Sequence, residues 1–184
     1  VLTAHGPAET LVWVDGSGDL VITAINGGTT ADQLSISFSG GQWIITDPGA
    51  ILTTNIAGAT RPDLNTVRVN AASVTGGLVL ETLGGTDSVT IINPITLTGA
   101  LQLNGVDNFN VNSGTLNMSS NAIIWVDLVN AINVNGGTVS NIGSVIKNGG
   151  VNSIYLNSNT FGAATTNITT DYLFINATSS GTAD

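Results

Sequence analysis

Asp87 and Asp107 are the residues of this chain best suited by type and spacing to act together on a substrate. They open two successive copies of a repeated pattern, so stacking those copies would set the two carboxylates about 5 Å apart, the distance between neighbouring strands. A carboxylate pair at that separation suits cleavage of a glycosidic bond, and a metal with a basic partner would extend the chemistry to polysaccharide elimination. The pattern itself argues against this use. The same position in the next two copies holds Asn130 and Asn152, so it selects an Asx shape rather than a charge. The only histidine, His5, lies in the terminal segment, and Arg61 and Arg68 fall one or two copies away. The chain is therefore expected not to be an enzyme, with a polysaccharide lyase or hydrolase as the least favoured reading.

Calcium is the other chemistry these carboxylates suggest. Gly84-Gly85-Thr86-Asp87-Ser88-Val89 matches half of the nonapeptide of calcium-binding β-rolls, but it lacks the third glycine and does not recur every nine residues. Asp15-x-Ser17-x-Asp19 has the oxygen spacing of a calcium loop without the later bidentate glutamate. A Gly- and Asp-rich hairpin turn would look the same with no metal. No cofactor is expected, and weak calcium binding at Asp15, Asp19, Asp87 and Asp107 is kept as the alternative.

Six copies of Asx-x-Φ-x-Φ-Asn, with Φ apolar, supply the elements that would position these residues. Their first Φ residues are Val67, Val89, Phe109, Ile132, Ile154 and Leu173, at spacings of 22, 20, 23, 22 and 19; the second copy carries Ile92 as a one-residue insertion. The leading column is Asn65, Asp87, Asp107, Asn130, Asn152 and Asp171. The trailing column is Asn70, Asn93, Asn112, Asn135, Asn157 and Asn176. Asn is a poor strand former in isolation. Stacked on itself it can hydrogen-bond along the column, and it tolerates a sharp corner. Leading Asx residues suit Asx-turns.

Short apolar segments such as Leu78-Val79-Leu80, Leu101-Gln102-Leu103 and Val145-Ile146 lie between the copies, with pairs such as Gly76-Gly77 and Gly136-Gly137 at corners. One repeated strand per roughly 20 residues is the mark of a solenoid. The expected fold is all-β: a right-handed parallel β-helix of about 20–22 residues per rung. Six rungs would span about 25–30 Å. Residues 61–184 form this coil. Residues 1–60 have a different rhythm, with hairpins at Leu11–Ile22 and Leu34–Ile45, and suit an N-terminal β-hairpin cap. One echo crosses the boundary: Gly27 to Ile36 resembles Gly84 to Ile91, so Asp32 would open a degenerate rung inside the cap.

Composition narrows the partners. Of 184 residues only 8% are charged while 42% are hydrophobic, which excludes disorder by low hydrophobicity and high charge. Three basic against twelve acidic residues give a net charge of -9. Nucleic acid and anionic membrane surfaces are thus poor partners, and no stretch is long and apolar enough to insert into a membrane. Without cysteine there are no disulfide staples. Scarce Lys and Arg, with a Ser/Thr/Asn/Gly-rich remainder, suit an extracellular location.

The Gly-Gly-Thr-Asp-Ser-Val-Thr-Ile stretch, its echo at Gly27 to Ile36 and the Asn/Thr/Gly-rich rungs resemble the strand-repeat segments of large bacterial surface and adhesin-like proteins. The resemblance implies an extracellular β-solenoid used in adhesion, fibres or surface coats, and it carries no catalytic residues. The last rungs place Tyr155, Tyr172 and Phe174 at outward positions. The expected role is structural, a building block of a filament, fibre or surface layer through end-to-end contacts, by self-association or as part of a longer solenoid. The alternative is an adhesin or carbohydrate-binding module that meets a glycan on those aromatics.

Overall fold

The computed structural model describes residues 9–25, 31–112, 115–127, 131–135, 138–147, 153–157, 167–168 and 173–176, with side chains described up to Met118 and at Val139. The protein is all-β, with one 3-10 turn at Ala71–Ser73. Among the described residues no helix is long and apolar enough to cross a membrane.

Two antiparallel hairpins come first, where the alternating apolar runs and their glycine turns place them. β1 (Glu9–Val14) returns as β2 (Leu20–Ala24), and β3 (Gln33–Ser39) returns as β4 (Gln42–Thr46). The second turn is Gly40-Gly41, with φ of 59° and 75°, the pair of left-handed residues that a two-residue hairpin needs. β5 (Ile51–Thr54) then lies parallel to β1. β6 (Thr60–Asp63) and β7 (Thr66–Asn70) form a third hairpin, and β7 pairs antiparallel with β4.

Beyond β7 every pairing among the described residues is parallel, and successive strands alternate largely between two sheets. β8 (Leu78–Glu81), β10 (Ile95–Leu97), β11 (Leu101–Asn104), β13 (Thr115–Asp127), β15 (Thr138–Lys147) and β17 (Asn167–Ile168) join the sheet of β2. β9 (Ser88–Ile91), β12 (Asn108–Asn112), β14 (Ala131–Asn135), β16 (Ser153–Asn157) and β18 (Leu173–Asn176) join the sheet of β3. The first sheet runs β17-β15-β13-β11-β8-β2-β1-β5, with β10 also on β13, and the second runs β18-β16-β14-β12-β9-β3-β4-β7-β6.

Alternation of apolar and polar residues decides which face is buried. In the second sheet Leu34, Val89 and Phe109 stand in register, as do Ile36, Ile91 and Val111, and all six are buried. They form one apolar cluster with Leu20, Ile22, Leu78, Leu80, Leu101 and Leu103 of the first sheet. Full burial of a side chain of this size is worth roughly 1.5–3 kcal/mol, so each stacked pair of strands adds its own share of core.

The register agrees with the sequence repeat from Val89 onward: Val89, Phe109, Ile132, Ile154 and Leu173 are successive paired positions. The first copy departs from it. Val67 and Val69 are buried, but β7 runs antiparallel beside β4 and does not stack on β9. The place beneath β9 belongs to β3, the strand of the Gly27–Ile36 echo. Period-two alternation is the same in parallel and antiparallel strands, so the motif alone could not give direction. β2 and β3 pair with β8 and β9, so both sheets continue across residue 60 without a break.

At one corner the strands approach too closely for side chains. A Cβ on Gly77 would collide with the Ala100 carbonyl oxygen, and one on Gly99 would lie 2.6 Å from the Gly77 nitrogen. The backbone bonds there are Gly76 amide to Gly18 oxygen at 2.8 Å, Leu20 amide to Gly77 oxygen at 3.0 Å and Leu78 amide to Ala100 oxygen at 3.0 Å. Glycine at this corner lets successive turns of chain touch backbone to backbone.

Candidate functional site: an aspartate column beside one sheet

Asp32, Asp87 and Asp107 each stand just before a strand of the second sheet, ahead of β3, β9 and β12. The Asp32 amide donates to Asp87 Oδ1 at 2.9 Å, and the Asp87 amide donates to Asp107 Oδ2 at 2.7 Å. In the opposite sense the Asp32 carbonyl accepts from the Ser88 amide at 2.8 Å and the Asp87 carbonyl from the Asn108 amide at 2.9 Å. At the corner each backbone amide thus finds no carbonyl on the next strand, and an Asx side chain supplies the acceptor. That need explains why the leading column tolerates either Asp or Asn: both offer an oxygen.

Asp47, in the turn after β4, closes the column on its other side. It is fully buried, and its carboxylate accepts from Gln33 at 3.1 Å and Gly49 at 2.8 Å. Asn65 fixes that turn, donating through Nδ2 to the carbonyls of Asp47 at 3.0 Å and Ala50 at 2.6 Å. Asn65 is therefore structural in another way than expected, a brace for the Asp47 turn rather than the first member of the leading column. Sequence reasoning passed over Asp47, although it opens Asp47-Pro48-Gly49, a turn-forming stretch.

Burial governs the electrostatics. Asp32 is only 3% exposed, and desolvation, then the charges of Asp47 and Asp87, push its carboxyl up to about 7. Asp87 is fully buried, and desolvation raises it too, with the Asp107 and Asp47 charges adding and the Asp32 amide opposing. The Thr82 hydroxyl lies near Asp87 and also acts to lower it, yet its proton points to the Gly105 oxygen at 2.8 Å, leaving Asp87 Oδ2 buried without a hydrogen-bond partner. Asp87 is thus sealed from solvent while Asp107 is half-buried, and each carboxylate accepts the amide that opens the preceding strand.

The remaining expected positions fall as follows. Asn70 does not stack in the trailing column; it ends β7 and its side chain accepts from the Ala72 amide at 3.0 Å. Asn93 also misses that column, because β9 ends at Ile91 and Ile92, whose amide donates to the Ile36 oxygen at 3.0 Å, takes the next place. Asn112, Asn135, Asn157 and Asn176 are successive paired positions. Tyr155 on β16 pairs with Phe174 on β18. Asn130, Asn152, Asp171 and Tyr172 lie outside the described residues.

Two of the carboxylates considered for calcium accept backbone amides at the first hairpin turn. Asp15 Oδ1 accepts from the amides of Ser17 at 2.8 Å and Asp19 at 2.9 Å, and Asp19 Oδ1 accepts from the Gly77 amide. Among the described residues no group of three or more His, Asp or Glu is arranged to hold a metal ion. Set beside protein-family models, curated proteins and solved structures, the chain matches none of them.

Proposed function

We propose that this chain is an extracellular structural protein, a right-handed parallel β-helix that serves as a building block of a surface filament, fibre or layer. The observation that carries this reading is the unbroken parallel register Val89, Phe109, Ile132, Ile154 and Leu173, in which one short pattern is laid on itself strand after strand. Such a column gives length and stiffness, and its buried polar groups are spent on holding strands together. On the N-terminal side the cap consists of the strands beyond β2 and β3, β1 and β5 in one sheet and β4, β7 and β6 in the other. Its outermost strand β6 is exposed throughout and carries Arg61, Pro62 and Asp63, features that discourage edge pairing. Contact between units then uses the end that carries β17 and β18, each of which pairs on one side only among the described residues. Sedimentation velocity and electron microscopy over rising concentration test this. Concentration-dependent association is expected, and particles that stay monomeric at the highest concentration would overturn it.

The pairing of Tyr155 with Phe174 favours a second reading, a glycan-binding surface on the last rungs. Two aromatic residues at paired positions of neighbouring strands suit recognition of a sugar ring. Glycan-array binding that disappears in Tyr155→Ala, with association unchanged, would favour this reading over the first.

A further inference from the structure

We propose that the aspartate column is a proton-operated clasp, in which a proton taken up by the buried carboxyls of Asp32 and Asp87 fastens the N-terminal hairpin β3–β4 to the parallel strands, and its loss loosens them. The fold gathers four carboxyl groups at the starts of β3, β9 and β12. Asp47 contacts the start of β3, Asp32 leads into β3, Asp87 leads into β9 and Asp107 leads into β12. Two of them accept an amide from the preceding strand, so Asp87 and Asp107 span successive strands as links of one chain. Asp32, Asp47 and Asp87 are buried, and Asp87 Oδ2 has no hydrogen-bond partner.

The groups acting on Asp32 and Asp87 are all either acids or neutral donors. Arg61 and Arg68, the basic residues whose side chains are described, are exposed on β6 and β7. Among the described residues no basic side chain acts on Asp32 or Asp87, and buried like charges cannot all ionise without cost. A proton relieves the repulsion and turns one oxygen into a donor. The later copies of the pattern carry Asn130 and Asn152 at the same place, and Asn would serve equally as the amide acceptor at 87. What Asp adds over Asn is the ability to take up and release a proton.

The sense of the response follows from where Asp32 stands, at about 7 in the folded chain against 3.8 without the fold. A carboxyl raised by folding contributes stability that is complete in acid below the unfolded value and is lost as pH rises through the folded one. The clasp is therefore closed in mild acid and opens above neutrality.

The test uses the whole chain in three forms: unaltered, Asp32→Asn, and Asp63→Asn, which removes one exposed negative charge from β6. The unaltered chain is expected to lose several degrees of melting temperature between about pH 5.5 and about pH 8.5, Asp32→Asn to lose most of that dependence, and Asp63→Asn to keep it. Equal pH dependence in the two variants would overturn the proposal, since general charge repulsion would then suffice. So would full recovery of the alkaline loss by added calcium, which would make the neutralising ligand a metal ion. Should Asp32→Asn not fold, carboxyl carbon NMR of the unaltered chain decides: an Asp32 midpoint near neutrality supports the clasp, and one below about 5 overturns it.

Discussion

The amide of Asp87 donates to Oδ2 of Asp107 at 2.7 Å, so a side chain one strand later completes the backbone pairing of the strand before it. This bond explains both the recurrence of Asx at that place and its indifference to charge. It also separates two substitutions that sequence alone would treat alike. Asp107→Asn keeps the oxygen and is expected to leave stability within about 1 kcal/mol of the parent, whereas Asp107→Ala strands the Asp87 amide and costs about 1–3 kcal/mol. Urea unfolding of both variants at one pH measures the difference.

Gly77 is expected to be the most sensitive glycine of the corner it shares with Gly99 and Ala100. A methyl group there meets the Ala100 carbonyl oxygen, which is backbone and cannot swing aside. Gly77→Ala should cost more than about 3 kcal/mol or prevent folding, while Gly16→Ala, with open space around it, should cost little. Circular dichroism melts of the two variants would distinguish a real contact from a general aversion to side chains in loops.

Leu83 holds a left-handed backbone, φ 66°, and is 60% exposed. Gly105 takes the same backbone one turn later, where its added Cβ would lie 3.1 Å from the Leu83 nitrogen. A leucine in this conformation is strained and gains little from burial. Leu83→Gly is therefore expected to be neutral or stabilising by up to about 1 kcal/mol, against the usual effect of introducing glycine. A clear loss in melting temperature would show that Leu83 makes a contact worth more than its strain.

Pro62 keeps the exposed strand β6 from accepting another strand. β6 pairs with β7 at Thr60–Arg68 and Asp63–Thr66 with an irregularity between them, so the edge is bent as well as interrupted. Replacing Arg61 and Pro62 together by Thr removes a charge and restores an amide. The double variant is expected to associate at lower concentration than the parent in sedimentation velocity. Unchanged association would mean that the bend alone blunts this edge.

The sequence by itself marked the strands of the repeat, the buried faces of β9 and β12 and, from Val89 to Leu173, the register, because each of these depends on local alternation and on a repeat that stacks on itself. It also marked the corner glycines and the Asx column. Only the tertiary structure decided direction and partner. Asn65-Thr66-Val67-Arg68-Val69-Asn70 reads like every other copy, yet β7 folds back against β4, while the weaker echo ending at Ile36 lies beneath β9. An alternating strand buries the same side chains whichever way its neighbour runs, so direction is set by the turns and by which edge is free. Burial decided the rest: Asp32 and Asp87 have the letters of ordinary surface residues, and their charge became costly only when the fold buried them.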